Sequence, residues 1–462
     1  MSNMQKNAEV TYKWRLSLVA ISIVICMATI DTAIVNTALP VISRELGSNP
    51  SSAVWIINAY QMIMISMLLP LASLGEVIGY RRVYITGLSV FLVSSLMCGL
   101  SNSLFFLILS RSLQGFGAAA IMSVNTALIK FIYSPNKLGQ GLGFNALIVA
   151  VSFTIAPLIS AAILSIARWE WLFFINIPVG CMALILSAIY LPKEQHNDHL
   201  PVTKFDWFAA MLCFLLFLFF ILGFGELTHQ GYWPVVLLEW SVTLVFSILL
   251  AYKQSTHPSP ILAIDLLKSA NLLLSSLTSI CAFTVQGLAF VSLPFLFLTV
   301  LHKNQIETGL LITPWSAMVA VMAPIAGRLS DRYKSEILSG AGLLILMGGM
   351  VSLAMVSDSS FMFGTGVKMA ICGIGFGLFQ SPNLRAIMGS VPAARSGSAS
   401  GIVAISRLLG QTFGAGLVAL CLSIFPGKNI TIVLWIGGGV AMGGFIICTL
   451  RWVLSLNHEA IK

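Results

Sequence analysis

The sequence predicts an all-α integral membrane protein of about fourteen transmembrane helices, built as two six-helix bundles with two additional helices between them. Three observations predict it. The chain is poor in charge, its apolar runs have membrane-spanning length, and a short charged motif recurs in its two halves.

Composition sets the solvent. Of 462 residues, 58% are hydrophobic and only 9% are charged, and the mean hydropathy is +0.94. Soluble domains carry roughly 25% charged residues, so this chain cannot cover a water-facing surface and lipid is its natural surroundings. The eight cysteines all lie in apolar runs, with no CxxC pair, and the six histidines lie in loops or the tail. That pattern implies neither a disulfide framework nor a metal site. No GxxxxGK[ST] segment is present, so no ATP-binding loop is read here. The expectation is no cofactor and no catalytic residue.

Apolar runs of roughly 20 residues are long enough to cross a bilayer. They fall at 15–39, 53–74, 83–100, 104–129, 139–165, 171–191, 206–226, 232–252, 271–299, 308–326, 336–357, 361–384, 394–424 and 430–454. The first exceeds a signal-peptide core and is expected to remain as the first span. The net charge of +9 invites a nucleic-acid reading, but its distribution points to topology. Loops on one side carry Lys6, Lys13, Arg15, Arg81, Arg82, Lys130, Lys137, Arg328, Arg332, Arg385, Arg395 and Arg451 among others; the opposite loops carry only Arg44, Arg168, Lys303 and Lys428. Basic loops stay in the cytoplasm, which places both termini there and predicts a multi-pass protein of a cell membrane, such as a bacterial inner membrane.

The bundles are read from a repeat. The segment "LASLGEVIGYRR" (71–82) follows the second span and "IAGRLSDRYK" (325–334) follows the tenth; Glu76 and Asp331 lie 255 residues apart. Six helices plus a two-helix insert occupy about that length. The expected domains are therefore 1–195 (N-terminal bundle), 196–260 (linker and insert) and 261–462 (C-terminal bundle), an arrangement suited to alternating access.

Several segments together resemble the fourteen-helix drug:proton antiporter branch of the major facilitator superfamily, over nearly the whole chain. They are "IDTAIVNTALP" (30–40), "SRSLQGFGAAA" (110–120) with Arg111, Gln114, Gly115 and Gly117, "RWEWLFFINIPVG" (168–180) and "GIGFGLFQSPNLRAIMGSVPAARSGSASG" (373–401). The chain departs from the pattern at Ala72 and Glu76 in the first loop motif. In the fifth helix it reads "APLISA" (156–161), keeping the helix-kinking Pro157 but not the usual glycines. The resemblance implies the major facilitator fold in a monomer that binds a small molecule, protons and lipid. It further implies proton-coupled export of amphipathic, cationic drugs or toxic compounds, with Glu76, Arg81, Asp331 and Arg332 latching the cytoplasmic side.

Within the spans, an ionised side chain costs roughly 2.5–3.5 kcal/mol on insertion scales, so Asp31 and Arg111 stand out. Asp31 lies about eight residues before the outer end of the first span and Arg111 about seven after the outer start of the fourth. At ~1.5 Å per residue both sit roughly 10–12 Å deep. Gln61 falls at similar depth and Gln114 one turn deeper. The resemblance implies that the first and fourth helices are neighbours, and with the shared depth this predicts a polar layer, with Asp31 and Arg111 coupling protons to transport and Gln61, Gln114, Tyr60, Trp315, Phe379 and Arg407 lining a broad apolar cavity. Trp55, Met62 and Met64 are further lining candidates. Arg407 has no acidic partner in the C-terminal spans and makes the core formally positive. That favours an alternative cargo, a metabolite, organic anion or lipid-like compound. A membrane-embedded enzyme would need a His, Asp or Ser cluster at one face, and none is present.

Overall fold

The computed structural model describes residues 2–132, 138–191, 205–228, 233–254, 269–330, 332–356, 362–391, 396–424 and 430–460. Among them there are helices and no strands. A backbone in lipid must satisfy its own polar groups, and a helix does so within one segment.

The first group comprises α1 (Ser2–Glu45), α2 (Pro50–Ala53), α3 (Trp55–Ile78), α4 (Tyr80–Gly99), α5 (Leu104–Ile132), α6 (Leu138–Ile166), α7 (Trp171–Phe174) and α8 (Asn176–Tyr190). Then come α9 (Trp207–Thr228) and α10 (Trp233–Gln254). The last group is α11 (Ala270–Phe295), α12 (Gln305–Leu329), α13 (Ser335–Ala354), α14 (Met362–Gly389), α15 (Ser396–Ile424) and α16 (Ile430–Ala460), with one π-helical turn at Leu296–Val300 closing α11. Thirteen described stretches are long and apolar enough to cross a membrane, where the sequence predicts fourteen. Helix α6 (Leu138–Ile166) adds a shorter apolar stretch, Val151–Ile166, among the described residues. Two boundaries also move. α1 continues through polar residues at both ends of its apolar run, because hydropathy marks the membrane depth and not the end of the hydrogen-bond ladder. The predicted 171–191 span breaks at Ile175, which leaves Asn176 at the start of α8.

The first group packs mainly within itself, through α1 with α6 and α8, α4 with α5 and α8, and α3 with α5. The last group does the same through α11 with α15 and α16, α13 with α14 and α16, and α12 with α14. The groups meet where α6 touches α12, α3 touches α15 and α1 touches α11. Between them in sequence, α9 packs on α3 and α15, while α10 packs on α9 and is tied to its start by Lys253 Nζ to Asp206 Oδ2 at 3.8 Å. The outer face of α10 exposes Trp233, Leu237, Leu238, Leu244 and Ile248, a surface suited to lipid.

The apolar core changes character along the long axis. Toward the far end, where α1 finishes, one continuous core draws on both groups: residues from Ala33 to Ile42 of α1, Ile56 and Ile57 of α3, Ala282 to Phe295 of α11, Leu311 to Trp315 of α12 and Ala415 to Ala419 of α15. Gly309 of α12 lets this junction close, since a Cβ there would come within 2.7 Å of Ala161 Cβ and 2.9 Å of the Pro157 carbonyl on α6. Toward the near end, where α1 begins, the cores are separate. One holds Ile21 to Met27, Met62 to Leu71 and Ala118 to Ile132, and takes only Ile405 and Leu408 from α15. A small second one holds Leu272, Ile387, Val391 and Ala399. Among the described residues the two helix groups thus share one core at the far end and have largely separate cores at the near end.

Candidate functional site

The polar residues singled out from the sequence sit at the level where the joined core gives way to the divided ones. On α1, Asp31 lies between the near-end core (to Met27) and the shared core (from Ala33). On α5, Arg111 and Gln114 lie between Leu107 of the shared core and Ala118 of the near-end core.

Local sequence explains the placement on α5. Arg111, Gln114, Gly115 and Ala118 recur at three- and four-residue spacing and so share a face. Gly115 brings α5 against α3: a Cβ there would stand 2.3 Å from the Tyr60 carbonyl oxygen. Gly117 does the same toward Phe91 and Gly87 of α4. With both neighbours so close, the long side chains of Arg111 and Gln114 are confined to the space among α1, α3, α4 and α8.

There the structure brings Asp31 and Arg111 together. Arg111 Nη1 donates to Asp31 Oδ2 at 2.7 Å, and each side chain is 1% exposed. Gln114 Nε2 donates to Asp31 Oδ1 at 3.0 Å and Asn176 Nδ2 donates to the same oxygen at 2.7 Å. Arg111 Nη1 also donates to Gln114 Oε1 at 2.6 Å and its Nε to the Ile56 carbonyl at 3.4 Å. Ser95 of α4 receives hydrogen bonds from Gln114 (2.7 Å) and Asn176 (3.2 Å). The Tyr60 ring lies 4.1 Å from the Arg111 guanidinium carbon, a cation–π contact worth about 2 kcal/mol when desolvated. Every group facing Asp31 is a donor, which suits an ionised carboxylate, an acceptor only.

Other sequence candidates fall elsewhere. Gln114 belongs to this sealed cluster and does not line a cavity. Gln61 joins the two groups, accepting from Thr412 Oγ1 of α15 at 3.0 Å. It borders a cleft between them with Thr32, Asn36, Ile57 and Phe153 on one side and Gln286, Phe290, Gln411 and Ala415 on the other. Tyr60 stacks on Arg111, and its hydroxyl accepts from Thr32 Oγ1, a residue bordering the cleft, at 3.4 Å. Trp315 and Phe379 are packing residues, 0% and 1% exposed; Trp315 stands edge-on to Phe290 at 5.6 Å and Phe379 lies against Phe376 at 6.0 Å. Met62 and Met64 are likewise buried, and Trp55 covers Gly225 of α9. Large apolar side chains fill close-packed cores as readily as cavities, and the sequence does not separate these roles. Pro157 is buried in α6, at the junction with Gly309.

Among the described residues, Glu76, Arg81 and Arg332 form no ion pair with one another. Glu76 is exposed, and Arg81 donates to the Ala188 carbonyl near the end of α8. Arg332 is exposed in the turn after α12, and Asp331 lies outside the described residues. Arg451, counted above among loop charges, is inside α16 and 2% exposed. It donates to Ser275 Oγ (2.5 Å) and Asn383 Oδ1 (3.0 Å) and faces Glu336 at 3.6 Å. Helix α16 continues past its apolar run, so a charge near the end of that run can turn inward.

Two residues of the cluster, Asn176 and Ser95, were not named as site residues from sequence. Asn176 lies within the segment 168–180, where an amide beside a helix break was the available signal; Ser95 in an apolar run gives none.

These features define a polytopic membrane transporter of two helix groups, with a buried ion pair inside the first. The chain belongs to the major facilitator superfamily, whose family model matches residues 21–415; it is a transporter and not an enzyme. It is 46% identical over 415 residues to the uncharacterized transporter YebQ of Escherichia coli, covering 90% of each chain. It is 27% identical to the riboflavin transporter RibZ of Clostridioides difficile, covering 87% of this chain and 86% of that one. It is 29% identical to the multidrug resistance protein Stp of Mycobacterium tuberculosis, covering 88% and 76%. The crystal structure of a bacterial homolog to the human lysosomal transporter Spinster, inward-facing and unoccupied, overlays with a TM-score of 0.63 at 14% identity, covering 95% of each chain.

Proposed function

We propose that this chain is a proton-coupled secondary active exporter of amphipathic small molecules. In this reading it works by alternating access as a monomer with fourteen transmembrane helices. Two six-helix bundles (within 1–195 and 261–462) rock about the polar layer, and α9 and α10 brace the seam. The membrane is a cell membrane, with both termini and the divided end in the cytoplasm, as the basic loops favour. The proton gradient is the energy source, with no cofactor. Glu76, Arg81, Asp331 and Arg332 latch the cytoplasmic end in the opposite state, and Pro157 bends α6 at the junction.

One observation carries the proposal: Asp31 is held by donors from two other helices at the level where the joined core divides. Protonation removes the charge those donors hold and so loosens α1 from α5 and α8 where the bundles must pivot. The name of the relative Stp supports export of drugs. A cationic cargo is not carried into the proposal, because Asp31 is already paired with Arg111 and is 1% exposed.

The test is transport by the purified chain in proteoliposomes under an imposed pH gradient, with 2-naphthoate and 2-naphthylmethylammonium as probes. The gradient should drive movement of at least one probe, and Asp31→Asn should abolish the gradient dependence while leaving the protein in the membrane. Gradient-driven transport by Asp31→Asn at the unsubstituted rate would remove Asp31 from the mechanism.

A further inference from the structure

Three arginines lie deep within spans, and two have a carboxylate partner, Asp31 for Arg111 and Glu336 for Arg451. Arg111 has Asp31, Gln114 and the Ile56 carbonyl. Arg451 has Ser275, Asn383 and Glu336. Arg407 of α15 has no hydrogen bond or ion pair among the described residues, and its Nε is enclosed without a partner. The group near enough to interact with it electrostatically is Tyr60.

Position decides what this means. Arg407, Gln411 and Ala415 follow one another at four-residue spacing and share one face of α15. Gln411 and Ala415 border the cleft between the helix groups, and Arg407 is one turn further toward the divided end, from which a solute would arrive. A guanidinium carries five donors, no acceptor and a permanent charge. Within a membrane it needs a counter-charge, and Asp31 of α1 is already engaged by Arg111, Gln114 and Asn176 and is 1% exposed. Arg407 is not among the residues bordering the cleft; it sets one positive charge a turn beyond them along α15, and no carboxylate borders the cleft. The polar lining of the cleft is uncharged: Gln61, Gln286, Gln411 and Asn36, whose Oδ1 is also enclosed without a partner. Phe153 and Phe290 supply flat apolar walls.

We infer that Arg407 is a substrate-contacting residue and that the cargo is an aromatic or amphipathic organic anion, whose carboxylate-like group supplies the ion-pair partner Arg407 lacks. Planar guanidinium–carboxylate pairing gives both charge and geometry, and the amides of the cleft hold the uncharged body. This inference rests on the transporter reading above and names the cargo of that site.

The test measures binding of 2-naphthoate and 2-naphthylmethylammonium, alike in size and opposite in charge, to the purified full chain by titration calorimetry. The unsubstituted protein should bind the naphthoate at least about tenfold more tightly, a difference of ~1.4 kcal/mol. Arg407→Gln should erase the preference, and Arg407→Lys should keep part of it, which shows that the fold survives substitution at this position. Equal binding, preference for the ammonium, binding of neither, or a preference unchanged in Arg407→Gln would overturn the inference. Its failure is separable from that of the transport proposal. Gradient-driven movement of the ammonium alone would sink the anion while keeping the transporter. Arg407-dependent binding of naphthoate that no gradient moves would do the reverse.

Discussion

Replacing Arg111 by leucine should destabilise the folded protein by about 3–5 kcal/mol, the range for breaking one side of a buried ion pair. The loss is large because the partner cannot escape. Asp31 is 1% exposed, and its remaining donors are the two amides of Gln114 and Asn176. Removing the guanidinium leaves a carboxylate enclosed in an apolar region with no counter-charge. It also strips Tyr60 of the cation stacked on its ring. Thermal unfolding of the purified protein in detergent should show a markedly lower midpoint. Adding Asp31→Asn to Arg111→Leu should recover more than half of the loss, since the orphaned charge is then gone. A single variant as stable as the unsubstituted protein would mean that the pair contributes nothing to the fold.

The second large effect is steric. Gly115→Val would set a branched Cβ 2.3 Å from the Tyr60 carbonyl oxygen, with the Tyr60 carbonyl carbon and Cα at 3.1 and 3.2 Å. All three are backbone atoms, so no side-chain rotation relieves the clash and α3 must move away from α5. Overpacking in a well-packed core costs typically 1–3 kcal/mol; here the displaced helix also carries Tyr60 off Arg111 and Gln61 off Thr412. Yield of folded, monodisperse protein should collapse. Gly348→Val, at a position with nothing within 4 Å of a new Cβ, should be close to neutral. Equal yields for the two variants would contradict the packing described here.

The common depth of Asp31 and Arg111 was legible in the sequence because depth along two antiparallel spans is arithmetic, and an ionised residue in an apolar run advertises itself by its cost; that their helices are neighbours came from the resemblance. Helix positions were legible for the same reason: long apolar runs and bilayer thickness leave little freedom. What escaped were properties of facing surfaces. Hydropathy does not tell whether Trp315 lines a void or fills one, nor that Gln61 reaches across to Thr412. Nor does it show that Arg451 turns inward to Asn383 while Arg407, equally apolar in context, finds no hydrogen-bond partner among the described residues. The close approach of α5 to α3 and α4 was present in sequence as Gly115 and Gly117, but their partners Tyr60 and Phe91 become evident only once the helices are packed.

The proposal that Asp31 governs which end of the molecule is joined has a direct measurement. Spin labels on Ile166→Cys at the end of α6 and Ile306→Cys at the start of α12, positions 88% and 52% exposed, report the distance across the junction at Gly309 in a cysteine-depleted protein. With Asp31 intact, the short distance of the joined core should dominate. Asn at position 31 should shift the population toward longer distances, and Arg407→Gln, which leaves the ion pair untouched, should not. Identical distance distributions with and without the Asp31 carboxylate would contradict the coupling of its charge to the junction.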